Sequence, residues 1–238
     1  MRRILMMLLR NLIYLPGMIW RLFYHANHVE KYTDEEHDLV LKNIVEHANK
    51  GGNVKLRAVG VENIPKENGY MLFPNHQGMY DMLAIVGTSP LPTSMVAKKE
   101  VENVLFLKQV LQCTKGFSID RENIRQSMEV IINITKEVKK GRNYTIFAEG
   151  TRSKNGNNTL EFKGGSFKAA TKARCPIVPV ALINSFMPFD SKSLKEVIVE
   201  VHYLPPLTYE VYESMKTTEI AIYVRNEIQK VLDQYNTK

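Results

Sequence analysis

Short strand-like stretches alternate with helical stretches along most of this 238-residue chain, and this alternation restricts the fold more than any other feature. Period-two or continuously apolar segments bounded by Gly, Pro or charged residues predict strands at 54–59, 70–73, 93–97, 116–119, 144–148, 177–183 and 197–203. Helical spacing predicts helices at 81–88, 99–112, 122–140, 165–173 and 217–235. Strands separated by helices indicate an α/β fold, which we predict as a mixed, largely parallel central sheet flanked by helices. Because 197–203 alternates strictly, we expect it to be an exposed or edge strand.

The amino terminus is the most apolar part of the chain. Residues 1–24 do not resemble a secretory signal, because the apolar run breaks at Arg10 and no small-residue cleavage site follows. A membrane-spanning helix needs about 20 apolar residues, and Arg10 and Pro16 interrupt this window. On a helix, Arg3, Arg10 and Arg21 align as a narrow basic stripe beside a broad apolar face, which is typical of a helix lying in the membrane interface. The alternative is a terminal helix packed on the protein's own core.

A second amino-terminal helix is predicted after the first. Thr33 and Glu36 form a capping box, and Gly51 and Gly52 are expected to end the helix. We therefore divide the chain into a membrane-associating helical pair at 1–50 and an α/β domain at 51–238.

Charge and cysteine content narrow the choice of partners and compartment. The formal net charge of +7 favours anionic partners, and without a helix-turn-helix, zinc-finger or RNP-type pattern we expect no nucleic acid. Cys113 and Cys175 lie in no paired or metal-binding spacing, so we expect reduced thiols on the cytoplasmic side. The six histidines form no metal-ligand pattern, and no metal is predicted.

Two clusters of polar residues directly follow predicted strands. His76 and Asp81 follow the strand at 70–73, and a turn between them would let the carboxylate orient the imidazole for taking a proton from a hydroxyl. The alternative is that His76 caps a helix whose N-terminus favours Asp81. The second cluster, at 149–152, follows the strand at 144–148, and its arginine is suited to binding a phosphate, although a local Glu–Arg ion pair fits the same residues.

Two further basic groups follow strands and extend this pattern. Arg121 ends the stretch Gly-Phe-Ser-Ile-Asp-Arg at 116–121 and is a second candidate phosphate ligand. Lys98 ends the strand at 93–97 and adds positive potential, although a solvated surface lysine is the simpler interpretation.

Four blocks in this order, at 75–81, 116–121, 149–152 and 178–182, resemble the glycerophospholipid acyltransferase family, and the resemblance covers about residues 55–205. It implies that His76 is a general base and Asp81 its partner. It also implies a substrate-binding set made of Asn75, Lys98, Arg121, Glu149, Gly150, Thr151, Arg152 and, towards the acyl donor, Pro179. The chain departs from the family pattern at Gly78, where Ser is frequent, and at Ala148, where Pro is frequent, which puts the subfamily in doubt.

The resemblance also implies a reaction and its partners. Its bacterial members that act on 1-acyl-sn-glycerol 3-phosphate are the most similar, so we expect acyl transfer from acyl-CoA or acyl carrier protein to the sn-2 hydroxyl of lysophosphatidic acid, giving phosphatidic acid. We expect no cofactor, and a location on the cytoplasmic face of the membrane. No GxSxG pattern is present, so no covalent acyl-enzyme is expected. The alternatives are another phosphorylated or lyso-aminolipid acceptor, an acyl-thioesterase, or a non-catalytic membrane-surface protein.

Overall fold

The computed structural model describes residues 2–236. Its strands are β1 (Val54–Val59), β2 (Met71–Pro74), β3 (Ser94–Lys98), β4 (Phe117–Ile119), β5 (Tyr144–Thr145), β6 (Ile177–Ile183) and β7 (Val197–Tyr203). Its α-helices are α1 (Arg2–Arg10), α2 (Leu15–Asn27), α3 (Asp34–Gly52), α4 (Asp81–Thr88), α5 (Leu107–Cys113), α6 (Ile124–Lys139), α7 (Lys168–Ala173), α8 (Met187–Asp190), α9 (Tyr209–Tyr212) and α10 (Thr217–Asn236).

The strands form one seven-stranded sheet in the order β1-β7-β6-β2-β5-β3-β4. Every neighbouring pair is parallel except β6 and β7, which are antiparallel. The predicted α/β class with a mixed, largely parallel sheet is confirmed. Since β2, β3, β4 and β5 run in the same direction, their carboxyl ends share one edge of the sheet, which is called here the catalytic edge.

The sheet carries a hydrophobic core on each face. Alternate residues of β2 and β6 point to opposite faces, so that Met71 and Phe73 join one core while Leu72 joins the other. Helices α6, α7 and α10 cover the first face, and α1 and α4 pack on the second. Helices α2, α3 and α5 meet α4 in a third cluster beyond that second face. This burial on both faces explains why β6 is a continuous apolar run.

The prediction that 197–203 is an edge strand is wrong. This segment is β7, which lies inside the sheet between β1 and β6. Its residues alternate because one face, including Val199 and Val201, is buried in the core, while the other, including Glu200 and His202, is only half covered. Alternation therefore reports burial on one face, and it does not distinguish an edge strand from an interior one.

Two other predicted elements are shorter than expected. The strand predicted at 144–148 keeps its ladder only at Tyr144–Thr145, because the chain then turns towards the catalytic edge. The helix predicted at 99–112 is a 3-10 turn at Lys99–Asn103 followed by α5, and the two are separated by Phe106, whose φ is +70°. A non-glycine residue at positive φ interrupts a regular helix.

The amino-terminal segment forms two helices, α1 and α2, with Pro16 in the first turn of α2, where proline is tolerated. The capping box of Thr33 and Glu36 is confirmed at the start of α3. The helix ends at Gly52, as predicted, with Asn53 in the left-handed conformation as its C-cap, and the two glycines leave room for Met7 of α1 to pack against them. The division of the chain at residue 50 stays a prediction.

Only part of the basic stripe of the first helices faces the solvent, since Arg10 and Arg21 are exposed. Arg3 is buried, and its guanidinium donates to the backbone carbonyls of Gly52, Ser193 (2.7 Å) and Lys195 (2.9 Å). Arg10 likewise donates to Asn53 Oδ1 at 2.9 Å. The backbone carbonyls that the helix end and the loop leave unpaired thus hold the Arg3 guanidinium inside the protein.

The exposed face of α1 and α2 is instead apolar. It carries Leu5, Leu8, Leu9, Leu12, Ile13, Ile19 and Trp20. No helix within residues 2–236 has both the length and the hydropathy to cross a membrane.

Candidate active site

The catalytic edge brings together most of the polar groups singled out from the sequence. His76 follows β2, Arg121 follows β4, the 149–152 turn follows β5, and Lys98 ends β3. Ligands of open α/β sheets bind beyond the carboxyl ends of the strands, so this edge is the candidate site.

His76 and Asp81 form a direct pair. The loop after β2 turns back on itself, and α4 begins at Asp81, so that His76 Nδ1 lies 2.7 Å from Asp81 Oδ2. A carboxylate can only accept a hydrogen bond, which places the proton on Nδ1 and leaves Nε2 with a free lone pair. The imidazole stacks on the Phe147 ring, with centroids 4.2 Å apart, and 23% of the side chain is exposed. His76 is therefore oriented to take a proton through Nε2.

The Asp81 carboxylate is held by four protein groups. In addition to His76, it accepts hydrogen bonds from the backbone N–H groups of Gln77 (2.7 Å) and Gly78 (3.0 Å) and lies 2.6 Å from Ser185 Oγ. The carboxylate is buried, with 1% of the residue exposed. These donors compensate for the cost of burying the carboxylate.

Ser185 and Gln77 were not identified from the sequence. The Ser185 hydroxyl also lies 3.0 Å from Gln77 Oε1, and the Gln77 amide donates to Asn157 at 3.0 Å. This buried chain of side chains ties the end of β6 to the loop that carries His76. Ser185 follows β6 directly, which is the same sequence signal that identified the other residues after strand ends.

Glu149 supports the loop of His76. One carboxylate oxygen accepts from the His76 backbone N–H at 2.8 Å, and the other accepts from Leu160 N–H at 3.1 Å. Burial raises the pKa of Glu149, although these two hydrogen bonds oppose the shift. Since both oxygens bind backbone groups, the carboxylate positions the catalytic loop, and its predicted contact with substrate stays a prediction.

Two residues predicted to bind substrate instead hold the sheet together. The Asn75 amide donates to Leu182 O (3.1 Å) and accepts from Leu182 N–H (2.7 Å), which fastens β2 to β6. Pro179 lies inside β6 opposite Phe73, below the catalytic edge. The structure does not bring these two residues together with the cations of the site, because the Asn75 amide bonds to β6 and the proline is inside the sheet; their contact with substrate stays a prediction.

The cations of the site differ in their partners. Lys98 pairs with Glu100 at 2.7 Å. Within residues 2–236, neither Arg121 nor Arg152 forms an ion pair or a side-chain hydrogen bond. Partial burial lowers the pKa of Arg121. Two guanidinium groups on this edge are thus available for an anion, whereas Lys98 is already neutralised.

Lys163 is a further cation that the sequence analysis missed. Gly150 turns with a φ of +74°, and the Lys163 side chain crosses it, with Nζ 3.2 Å from the place where a Cβ would stand. The Lys163 backbone N–H donates to Ala148 O at 2.9 Å, which holds the lysine against the 149–152 turn. Thr151 is exposed in the same turn.

Neither cysteine belongs to the site. Cys113 and Cys175 are free and buried, and burial raises the pKa of each thiol to about 12. No group of three or more His, Cys, Asp or Glu side chains suited to a metal ion occurs among residues 2–236. The arrangement combines an oriented imidazole with an anion site.

Comparison with known proteins gives the class to which this site belongs. Residues 55–183 match the family described as Acyltransferase, and the chain belongs to that family. It is 34% identical over 152 residues to the 1-acyl-sn-glycerol-3-phosphate acyltransferase of Salmonella typhimurium, an alignment that covers 63% of this chain and spans about 62% of the length of that relative. The enzyme of the same name from Borreliella burgdorferi is 31% identical over 185 residues, covering 76% of this chain and 72% of the relative.

A solved structure shows the same fold. The 1-acyl-sn-glycerophosphate (LPA) acyltransferase of Thermotoga maritima superposes with a TM-score of 0.78, over 100% of this chain and 97% of that one, at 20% sequence identity.

Proposed function

We propose that this protein transfers a fatty acyl group from a thioester, acyl-CoA or acyl carrier protein, to the sn-2 hydroxyl of 1-acyl-sn-glycerol 3-phosphate. The observation that carries the proposal is the His76–Asp81 pair, whose free Nε2 lies on the same sheet edge as two unpaired arginines. The names of the relatives support this choice of acceptor.

In the proposed reaction, Nε2 of His76 takes the proton of the acceptor hydroxyl as the oxygen attacks the thioester carbonyl. The resulting imidazolium donates through Nδ1 to Asp81, whose negative charge stabilises it. The tetrahedral intermediate collapses with cleavage of the carbon–sulfur bond, and the His76 imidazolium gives its Nε2 proton to the departing thiolate, which restores the neutral base. General-base catalysis of this kind contributes about 10²–10⁴-fold. No cofactor takes part.

Arg121, Arg152 and Lys163 would bind the phosphate of the acceptor. Guanidinium groups bind phosphate through two hydrogen bonds, and the Lys163 ammonium adds a point charge beside the turn. Replacing Arg121 or Arg152 with Ala should raise KM for the phosphorylated acceptor more than it lowers kcat. Lys172→Ala, which changes a lysine near the end of α7, is the matched control.

The proposed location is the cytoplasmic face of the membrane, with α1 and α2 lying on the bilayer. Their exposed apolar face supports this, since a contiguous surface of leucine, isoleucine and tryptophan side chains favours the boundary between headgroups and acyl chains. Of the arginines of α1 and α2, Arg3 is buried, while Arg2, Arg10 and Arg21 are exposed and could meet anionic headgroups. The acceptor and product are membrane lipids, whereas the thioester donor is soluble.

The test is thiol release from acyl-CoA and from acyl carrier protein, with and without lysophosphatidic acid, for the wild type and His76→Ala. The proposal expects release that requires the acceptor, yields phosphatidic acid and is lost in the variant. Release without an acceptor would identify a thioesterase instead. Release that requires lysophosphatidic acid but is unaffected by Arg121→Ala and Arg152→Ala would mean that these two arginines do not bind the phosphate of the acceptor.

A further inference from the structure

Four consecutive apolar side chains point into solvent beside the catalytic edge. Val104, Leu105, Phe106 and Leu107, called here the apolar loop, are each between 41% and 63% exposed. They follow the 3-10 turn after β3 and lead into α5. Single exposed apolar residues are common on soluble proteins, but a continuous group of this size marks a surface that meets another apolar phase.

The backbone conformation and hydrogen bonds of Phe106 hold the apolar loop outward. Phe106 has a φ of +70°, and conformations of this kind cost about 1–3 kcal/mol in a residue with a side chain. Its backbone N–H donates to Gln109 Oε1 at 2.8 Å, and its carbonyl accepts from Val110 N–H at 3.0 Å. The preceding turn is fastened to the end of β4 by the Lys99–Asp120 ion pair. The loop is thus fixed with its side chains outward.

The apolar loop continues the exposed apolar surface of α2. The Phe106 ring meets Phe23 edge to face, with centroids 5.8 Å apart. Ile19 and Trp20, both exposed, precede Phe23 by about one helical turn and lie towards the same side. The two surfaces therefore form one apolar area that reaches from the amino-terminal helices to the catalytic edge.

The charges around the apolar loop match a lipid surface. Arg21 of α2 and Lys108 of α5 are exposed and form no ion pair within residues 2–236, whereas Lys98 and Lys99 are paired with Glu100 and Asp120. Basic side chains beside an apolar insertion favour bilayers with anionic headgroups.

We propose that the apolar loop is a second membrane-inserting element, and that its occupant is the acyl-chain layer of an anionic bilayer. The inference rests on the proposed function, because it takes α1 and α2 to lie on the same membrane. With both elements inserted, the catalytic edge faces the bilayer, so that an acceptor lipid can present its headgroup to Arg121 while its tail stays among the lipids.

The test uses one fluorescent label at a time. Cys113 and Cys175 are buried, so an introduced surface cysteine can be labelled selectively with an environment-sensitive fluorophore. Leu105→Cys reports the apolar loop, and Ile13→Cys reports the exposed segment between α1 and α2. Ile222→Cys is the matched control, because Ile222 is 61% exposed, as Leu105 is at 63%, but lies on α10 across the sheet.

Vesicles of equal parts phosphatidylcholine and phosphatidylglycerol carry a quencher on their acyl chains. The proposal expects quenching at positions 105 and 13 and none at 222. The double variant Leu105→Gln, Leu107→Gln should weaken binding to these vesicles by about tenfold or more, since each lost leucine removes apolar area from the inserted surface. Ile222→Gln should bind as the wild type does.

Other outcomes separate the two proposals. Quenching at 13 but not at 105 overturns the second element and leaves membrane attachment through α1 and α2 in place. No quenching at either position overturns both. A spectral change at 105 that follows protein concentration without vesicles would assign the apolar loop to contact between two copies of the chain, and it would overturn the inference.

Discussion

Asp81→Asn isolates the negative charge beside His76 with little change in shape. The asparagine oxygen can take the place of Oδ2 and still accept from His76 Nδ1–H and Gln77 N–H. Its NH₂ group then donates to Ser185 Oγ, whose own proton turns to Gln77 Oε1 at 3.0 Å. Gly78 N–H keeps its bond to the oxygen in the place of Oδ2 (3.0 Å) but faces the NH₂ group in the place of Oδ1 (3.1 Å), so we expect the free energy of unfolding to fall by about 1–2 kcal/mol.

The main effect of Asp81→Asn should be a lower kcat. An imidazolium and a carboxylate about 4 Å apart attract by about 4 kcal/mol at an effective dielectric constant of about 20. The partial exposure of His76 screens this attraction, and we expect the loss to be about 2–4 kcal/mol. At 1.36 kcal/mol per factor of ten, kcat should fall by about 30- to 900-fold.

The assay is steady-state thiol release with saturating acceptor, alongside thermal unfolding of each variant. Asp190→Asn is the matched control, because Asp190 lies near Gly78 yet forms no hydrogen bond with His76 within residues 2–236. A folded Asp81→Asn protein with the wild-type kcat would refute the role of the charge and, with it, His76 as the base.

Three other changes test the surroundings of the site. Gly78→Ala places a Cβ 2.8 Å from Phe186 Cα and should cost about 1–3 kcal/mol of unfolding free energy, measured by urea denaturation, whereas Gly165→Ala, with open space around it, should cost little. Burial raises the pKa of Glu149, so its contribution to the free energy of unfolding is present below the pKa of the unfolded state and is lost as pH rises through the pKa of the folded state. Glu149→Gln should lack this pH dependence when the free energy of unfolding is measured across pH. Identical profiles for the variant and the wild type would contradict the raised pKa. Cys113 and Cys175, whose burial raises their pKa to about 12, should resist a thiol reagent until the protein unfolds, and rapid labelling of the folded protein would contradict their burial.

The local sequence pattern was enough to predict the fold class and to single out His76 and Asp81 as a candidate pair. The alternation of strands and helices gave the mixed sheet, and position after a strand identified His76, Asp81 and Arg121. The departure at Gly78 from the family pattern is explained only by a contact distant in sequence, since a Cβ there would lie 2.8 Å from Phe186 Cα.

The remaining features depend on contacts between residues far apart in sequence. Asn75 bonds to Leu182, 107 positions away, and Arg3 to Lys195, 192 positions away. No spacing rule distinguishes an amide that binds substrate from one that binds a neighbouring strand. The same reason applies to Lys163, whose place over Gly150 follows from the path of the chain after the polar loop.

The buried guanidinium of Arg3 has a consequence for how the protein would work on a surface. It joins α1 to the end of α3 and to the 193–195 loop, so that α1 is fixed on the rest of the protein and is not connected to it by a flexible linker. On a bilayer, this fixed attachment would keep His76 at a constant distance from the membrane surface and in a constant orientation. The acceptor would then reach the base by lateral diffusion in two dimensions, and the rate of encounter would depend on its surface density in the membrane more than on its concentration in the volume of the cell.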